Sequence, residues 1–398
     1  MPFAAAVAVL AFGLLLSGLG AWEEALLAGA LYAVPLATQL SHRDLVRAYG
    51  LWFGFLLIAQ AALTPLVLDH DFKTLPPYLD DAMVVQGDEL RGISGLQRVR
   101  TDAKGFRATP AVDYGAKRGL RVLAIGASTT EQIYLGDEHT WTYLLQEDLK
   151  SRLGGAVEVI NTGLSGLRAV HHLATLKAIL RYQPDLVLFL MGANDWNHQA
   201  RTRFDPPGGQ DQPVLGLSFE DTLLWVGLAN AFHRGRGLFN AYAGAEARTR
   251  IERGAYYARR RGSLAKPTRH EFAPDTVSDD YAARLAEISE LCQKAGVVCA
   301  FATQPTGYRP EASEDYKASF WMTPSNRDYT LSFRSMIALA RTYNRFLAEF
   351  AAARGHPLCD IAPHLPPGFE AFYDDMHVNL RGARRVAELL AECLAPLL

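Results

Sequence analysis

The run "RVLAIGASTT", residues 121–130, reads as a buried strand ending on Gly126-Ala127-Ser128, which sets a small hydroxyl at its tip. Downstream, "NTGLSG" offers Asn161 and Gly163, "MGAND" offers Gly192, Asn194 and Asp195, and "YDDMHVN" places Asp374 and Asp375 just ahead of His377. A serine hydroxyl is a poor nucleophile until a base removes its proton, and histidine is the usual base near neutral pH. The base needs a carboxylate to fix its tautomer and offset the imidazolium charge. A tetrahedral oxyanion needs preorganised N–H donors, each typically worth about 3 kcal/mol of barrier. Singly, each stretch has an ordinary structural explanation: a helix N-cap after a glycine turn, a side-chain-stabilised Asn-Asp turn, a satisfied loop histidine. Together and in this order they supply the parts of an acyl-transfer site.

Such parts must be carried to one place. The runs "RVLAIG", "VEVIN" and "DLVLFLM" are short and continuously apolar, as parallel strands covered on both faces are. Helical patterns, "TWTYLLQEDLKSRL" and "AVHHLATLKAILRY", lie between them. Later, "DDYAARLAEISELCQKAG" leads to "VVCAFATQP", a long helix through "MIALARTYNRFLAEFAAARG" leads to "PLCDIA", and a last helix runs over about residues 381–394. This alternation predicts an α/β fold with a doubly wound sheet of about five parallel strands. Ligands bind such sheets beyond the carboxyl ends of the strands, which is where the residues above fall. His171 and His172, on the helix after "NTGLSG", read as structural or rim residues.

Over roughly residues 120–398 the chain resembles the SGNH, or GDSL-type, serine hydrolase family, whose motif blocks occur here in order. The resemblance implies a flavodoxin-like three-layer sandwich, with Ser128 as nucleophile, His377 as base and Asp374 as its orienting partner. It also implies an oxyanion hole from the Ser128 and Gly163 amides and the Asn194 side chain, and neither metal nor organic cofactor. Two departures stand out. The family's usual Gly-Asp-Ser has Ala127 in the middle here, and two aspartates precede the histidine. The block spacing selects Asp374, with Asp375 as the fallback.

The formal net charge of −2 gives no reason to expect nucleic-acid binding. The composition is asymmetric. Residues 3–20 carry no charge, 25–40 form a shorter apolar run, and 49–68 form a longer one. A crossing needs roughly 20 apolar residues, so residues 1–68 read as a membrane anchor of two or three transmembrane helices. The first lacks the basic flank of a signal peptide. Glu23 and Glu24 separate the first two runs, and His42, Arg43 and Arg47 the second and third. Basic short loops stay cytoplasmic, so three crossings place the remainder outside a bacterial cytoplasmic membrane, facing the periplasm or cell exterior. Residues 69–119 read as a polar lead-in with short strand pairs. About 197–275 reads as an arginine-rich, partly helical insertion without a clear strand, either a solvated face or a contact for an acidic polymer or anionic headgroups. Of Cys292, Cys299, Cys359 and Cys393, the last two are one plausible disulfide pair, and buried free thiols are the alternative.

The expected activity is that of a membrane-anchored esterase or deacylase acting through an acyl-enzyme on an acylated cell-surface glycan or a lipid. The lead-in "TDAKGFR" also resembles bacterial SGNH proteins associated with cell-surface polysaccharides. One alternative is an O-acyltransferase, in which a sugar hydroxyl replaces water. Another, of a different class, is an interaction subunit that keeps the SGNH fold and works with a membrane-protein partner.

Overall fold

Continuous apolar runs do become the strands. A computed structural model describes residues 71–85, 90–107, 110, 112–206, 268–320, 324 and 327–398. Its elements belong to one unit made of Lys73–Leu75, Leu79–Pro206 and Glu246–Leu398. In chain order the strands are β1 (Asp80–Val85), β2 (Gly95–Arg100), β3 (Leu120–Gly126), β4 (Val157–Asn161), β5 (Leu186–Leu190), β6 (Thr268–His270), β7 (Val298–Ala302), β8 (Tyr329–Leu331) and β9 (Leu358–Cys359). The α-helices are α1 (Ser128–Glu131), α2 (Trp141–Leu153), α3 (Ala169–Ile179), α4 (Ala193–Phe204), α5 (Asp279–Ala295), α6 (Glu314–Lys317), α7 (Phe333–Arg354) and α8 (Leu380–Leu394).

The central sheet has five strands in the order β4-β3-β5-β7-β9, all parallel. This is the flavodoxin-like doubly wound order, in which the strand sequence reverses at β3. Side chains alternate across it. Val122, Ala124, Leu186, Leu188, Ala300 and Ala302 point into a core closed by Trp141, Leu145 and Leu149 of α2 and by Val386, Ala387 and Leu390 of α8. On the other face Phe189 stacks on Phe301, which meets Phe350 of α7 edge-on. Helices on both faces give the expected three layers.

Four helices start where a side chain can accept an orphan N–H: Thr140 for α2, Ser278 for α5, Ser332 for α7 and Asn379 for α8. Two disulfides tie helix to strand. Cys359–Cys393 joins β9 to α8, the pair considered above, and Cys292–Cys299 joins α5 to β7. Neither free-thiol nor other pairings are left, since no cysteine is free.

The lead-in does contain a strand pair, the antiparallel β1–β2 hairpin. Parts of the expected insertion fall within the described residues. Residues 193–204 form α4, and β6 inside the expected insertion pairs in parallel with β8. Its sequence, Thr-Arg-His, is polar and largely exposed, so no hydrophobic alternation announces it. Among the described residues no helix is long and apolar enough to cross a membrane. The expected anchor at 1–68 and residues 207–267 of the insertion lie outside the described residues.

Candidate active site

Strand β3 runs into a one-turn helix whose first residue is Ser128. The turn is tight because Gly126 permits it: a Cβ there would lie 2.0 Å from Thr130 Oγ1 and 2.6 Å from the Leu190 carbonyl. Ala127 occupies the N-cap and offers no side-chain acceptor. The Ser128 N–H, at the first position of the helix, has no protein acceptor among the described residues, which leaves it free for a ligand oxygen.

A helix of four residues cannot satisfy its own carbonyls, so other elements do. Trp141 Nε1 donates to the Thr129 carbonyl at 3.0 Å and Asn161 Nδ2 to that of Thr130 at 2.6 Å. Arg107 Nη1 donates to the carbonyls of Glu131 and Gln132 at 2.5 and 2.9 Å. The serine thus sits on a turn clamped from its carboxyl end by side chains of three separate segments.

His377 comes from the loop between β9 and α8. Its Nε2 lies 2.7 Å from Ser128 Oγ, and its Nδ1 lies 2.8 and 3.0 Å from the two Asp374 oxygens. The three-residue spacing has a local cause. Asp374 Oδ1 also accepts the Met376 and His377 N–H groups at 3.0 and 2.7 Å, so the carboxylate that orients the ring also closes the turn that presents it. With a carboxylate facing Nδ1, the proton belongs on Nδ1 and Nε2 is the acceptor toward Ser128. Tyr373 lies parallel to the imidazole, with centroids 5.6 Å apart, and Tyr316 donates to the Asp374 carbonyl at 2.6 Å. Asp375 turns away: Tyr308 donates its hydroxyl to that carboxylate, and the Gly307 N–H donates to the Asp375 carbonyl at 2.7 Å. The geometry therefore pairs His377 with Asp374 rather than with Asp375.

Burial penalises the His377 imidazolium, but Asp374 outweighs that penalty, helped by Asp375 and Glu131, and the ring's pKa stands above its ordinary value. Glu131 is a second buried carboxyl at the site. Burial pushes its pKa up, opposed by hydrogen bonds from the Ser165 N–H at 2.7 Å and the Ser165 hydroxyl, and by the charges of Arg107 and His377.

Asn194 follows the N-cap of α4, Gly192, whose φ of +114° only glycine adopts without strain. Asn194 Nδ2 donates one proton to the Leu167 carbonyl at 2.9 Å, leaving its second proton for a ligand. The expectation for Gly163 requires correction. Its N–H donates to Asn161 Oδ1 at 2.9 Å and is therefore committed inside the protein. Glycine stands there for another reason, since a Cβ would lie 2.4 Å from the Glu131 nitrogen. The neighbouring donor that stays open is Gly166, exposed at φ +85°, whose N–H has no acceptor among the described residues. Ser165 before it is held by Glu131, and the carbonyl of Leu167 after it by Asn194.

His171 and His172 take the structural roles expected. His171 Nδ1 accepts the Arg168 N–H at 3.0 Å, and burial drives the His172 pKa down to about 3. Arg107, Glu131 and Trp141 carried no mark in the sequence that distinguished them from core or surface residues; "TDAKGFR" is the one hint for Arg107.

A parallel sheet in flavodoxin-like order, with serine, imidazole and carboxylate in hydrogen-bonded series at one strand exit, defines an α/β protein of the hydrolase kind. The family model of the GDSL-like lipase/acylhydrolases matches residues 124–385, and the chain belongs to that family. It is a hydrolase of the lipase and esterase type. Solved structures to which the chain is similar include a putative lipolytic protein of the G-D-S-L family from Desulfitobacterium hafniense, at 11% identity over 69% of this chain and 100% of that one, with a TM-score of 0.39. The lipase/acylhydrolase from Enterococcus faecalis aligns at 14% identity, 70% and 97% coverage and a TM-score of 0.37. The esterase EstA from a Pseudoalteromonas species does so at 13% identity, 70% and 98% coverage and 0.38. No curated protein matches the chain.

Proposed function

We propose that the protein is a serine esterase that releases ester-linked acyl groups through an acyl-enzyme. The observation that carries this reading is the continuous series Ser128 Oγ, His377, Asp374, with each contact at 3.0 Å or less. His377 Nε2 takes the Ser128 proton as Oγ adds to the ester carbonyl. The resulting imidazolium is balanced by Asp374, and the oxyanion is met by the Ser128 N–H, the Asn194 amide and, in place of Gly163, the Gly166 N–H. Each donor contributes on the order of 3 kcal/mol to the barrier reduction. Collapse passes the His377 proton to the departing alcohol and leaves the acyl group on Ser128. Water, deprotonated by His377, then frees the acid and restores the hydroxyl.

The substrate we favour is an acylated cell-surface glycan or a lipid, on the strength of the apolar segments at 3–20, 25–40 and 49–68 and the charge bias of their loops. That bias also supports a membrane-anchored protein whose hydrolase domain faces outward. Incubation with acetylated oligosaccharide and with lysophospholipid, each against Ser128→Ala, tests this. Release of acid from one of them by wild type alone supports the esterase. Acyl movement onto a sugar hydroxyl without free acid means a transferase. Turnover unaffected by Ser128→Ala removes the proposal.

A further inference from the structure

Arg107 precedes the hydrolase core and lies outside residues 124–385, yet it is 4% exposed and reaches the turn that bears the nucleophile. Its guanidinium donates to three carbonyls there, Glu131, Gln132 and Leu135, the last at 2.8 Å, and to Asp137 Oδ1 at 3.1 Å. Burial pulls its pKa down and the Asp137 charge resists, leaving a cation that stands beside its own carboxylate. The backbone of Arg107 exchanges both hydrogen bonds with Asn161, at 3.0 Å each. Asn161 in turn holds the Thr130 carbonyl and the Gly163 N–H. One residue therefore connects the helix that carries Ser128 to the loop that carries Gly166.

That helix is too short to fix its own direction, and it ends at Gln132 with φ +51°, a left-handed conformation unusual for a residue with a side chain. The carbonyl of this same Gln132 is one that Arg107 receives. A planar guanidinium can serve four acceptors in fixed directions, whereas an ammonium cannot span them. We propose that Arg107 is a positioning residue for Ser128 and the oxyanion loop, so that the lead-in segment belongs to the catalytic apparatus. The proposal rests on the acyl-enzyme reading above.

The experiment measures, on the full chain, the second-order rate of Ser128 phosphonylation by a fluorophosphonate, with kcat and KM for p-nitrophenyl acetate. Arg107→Lys keeps the cation and the buried stem, and Arg107→Ala removes both. Displacing the nucleophile by a fraction of an ångström to an ångström predicts a drop of about 10- to 100-fold in phosphonylation rate and kcat. KM stays within about twofold, because ground-state binding is untouched. Methylguanidinium restores part of the Arg107→Ala rate by refilling the four acceptors. Arg107→Lys carries the decision where Arg107→Ala does not fold. A folded Arg107→Lys with the wild-type phosphonylation rate and kcat overturns the proposal, as does a lowered melting temperature with unchanged rate per folded molecule. Failure of the wild type itself to react at Ser128 is a different result: it removes the acyl-enzyme reading, and this proposal with it.

Discussion

Replacing Asp374 by asparagine changes one oxygen for an amide nitrogen, and the hydrogen bonds around it decide where that nitrogen goes. Oδ1 receives two backbone N–H groups, from Met376 and His377, at 3.0 and 2.7 Å. The asparagine oxygen must stay there, since an NH2 would face two buried donors, each costing about 1–3 kcal/mol when left unmade. The NH2 then takes the Oδ2 position, 2.8 Å from His377 Nδ1. Two donors cannot face each other at 2.8 Å, and Oδ1, 3.0 Å from Nδ1, already accepts two N–H groups, so the imidazole shifts its proton to Nε2, which now donates to Ser128 instead of accepting from it. The base is inverted with the geometry intact. Loss of the tautomer and of the imidazolium's counter-charge together is worth about 10⁴ in kcat, or about 5 kcal/mol. The assay is steady-state hydrolysis of p-nitrophenyl acetate by Asp374→Asn and Asp375→Asn, with circular dichroism confirming the fold. Asp375→Asn alters the carboxyl group that Tyr308 donates to and is expected to cost about tenfold or less, by way of a weaker field on His377. A rate for Asp374→Asn within tenfold of wild type, or a larger loss for Asp375→Asn, refutes the assignment.

Other consequences are as direct. His377 must be neutral to act, and its pKa is raised, so kcat/KM falls as pH drops through a value above the roughly 6.5 of a free histidine; a pH–rate profile with its acid limb below that excludes His377 as the base. Asp195 is buried, caps the start of α3 by accepting the Ala169 N–H at 3.0 Å, and has its pKa pushed up to about 7 by burial. The folded state then binds the extra proton, so this group costs stability as pH rises from about 4 to about 7, on the order of 4 kcal/mol in total. Urea denaturation is expected to show the stability of Asp195→Asn relative to wild type rising over that interval, and a pH-independent difference contradicts the sign. The Cys359–Cys393 bridge closes a loop with a sequence separation of 34, and Cys393→Ser is expected to lower unfolding free energy by about 3–4 kcal/mol in the chain-entropy account, measurable by denaturant titration against the oxidised wild type.

The succession of about five parallel strands alternating with helices, and the fall of Ser128, Asn194, Asp374 and His377 at strand exits or just ahead of a helix, were legible because apolar runs and turn residues record that alternation. The choice of Asp374 over Asp375 rested on the spacing of the family's motif blocks, and the turn that Asp374 Oδ1 closes is the local geometry that goes with that spacing. Gly163 was misassigned because a glycine needed for close approach and a glycine lining an open loop look alike in sequence; only the bond from its N–H to Asn161 separates them. Strand β6 went unseen because three polar residues carry no periodicity. Arg107 went unseen because its value lies in four acceptors spread from Glu131 to Asp137, a tertiary arrangement that a single arginine does not advertise.

The central claim is that the Ser128 hydroxyl is the atom made nucleophilic by His377. Mass mapping after saturation with a fluorophosphonate tests it most directly. The account predicts one adduct per chain, on the peptide carrying Ser128, absent in Ser128→Ala and formed orders of magnitude more slowly in His377→Ala. An adduct on any other residue, or equal modification of wild type and Ser128→Ala, contradicts it.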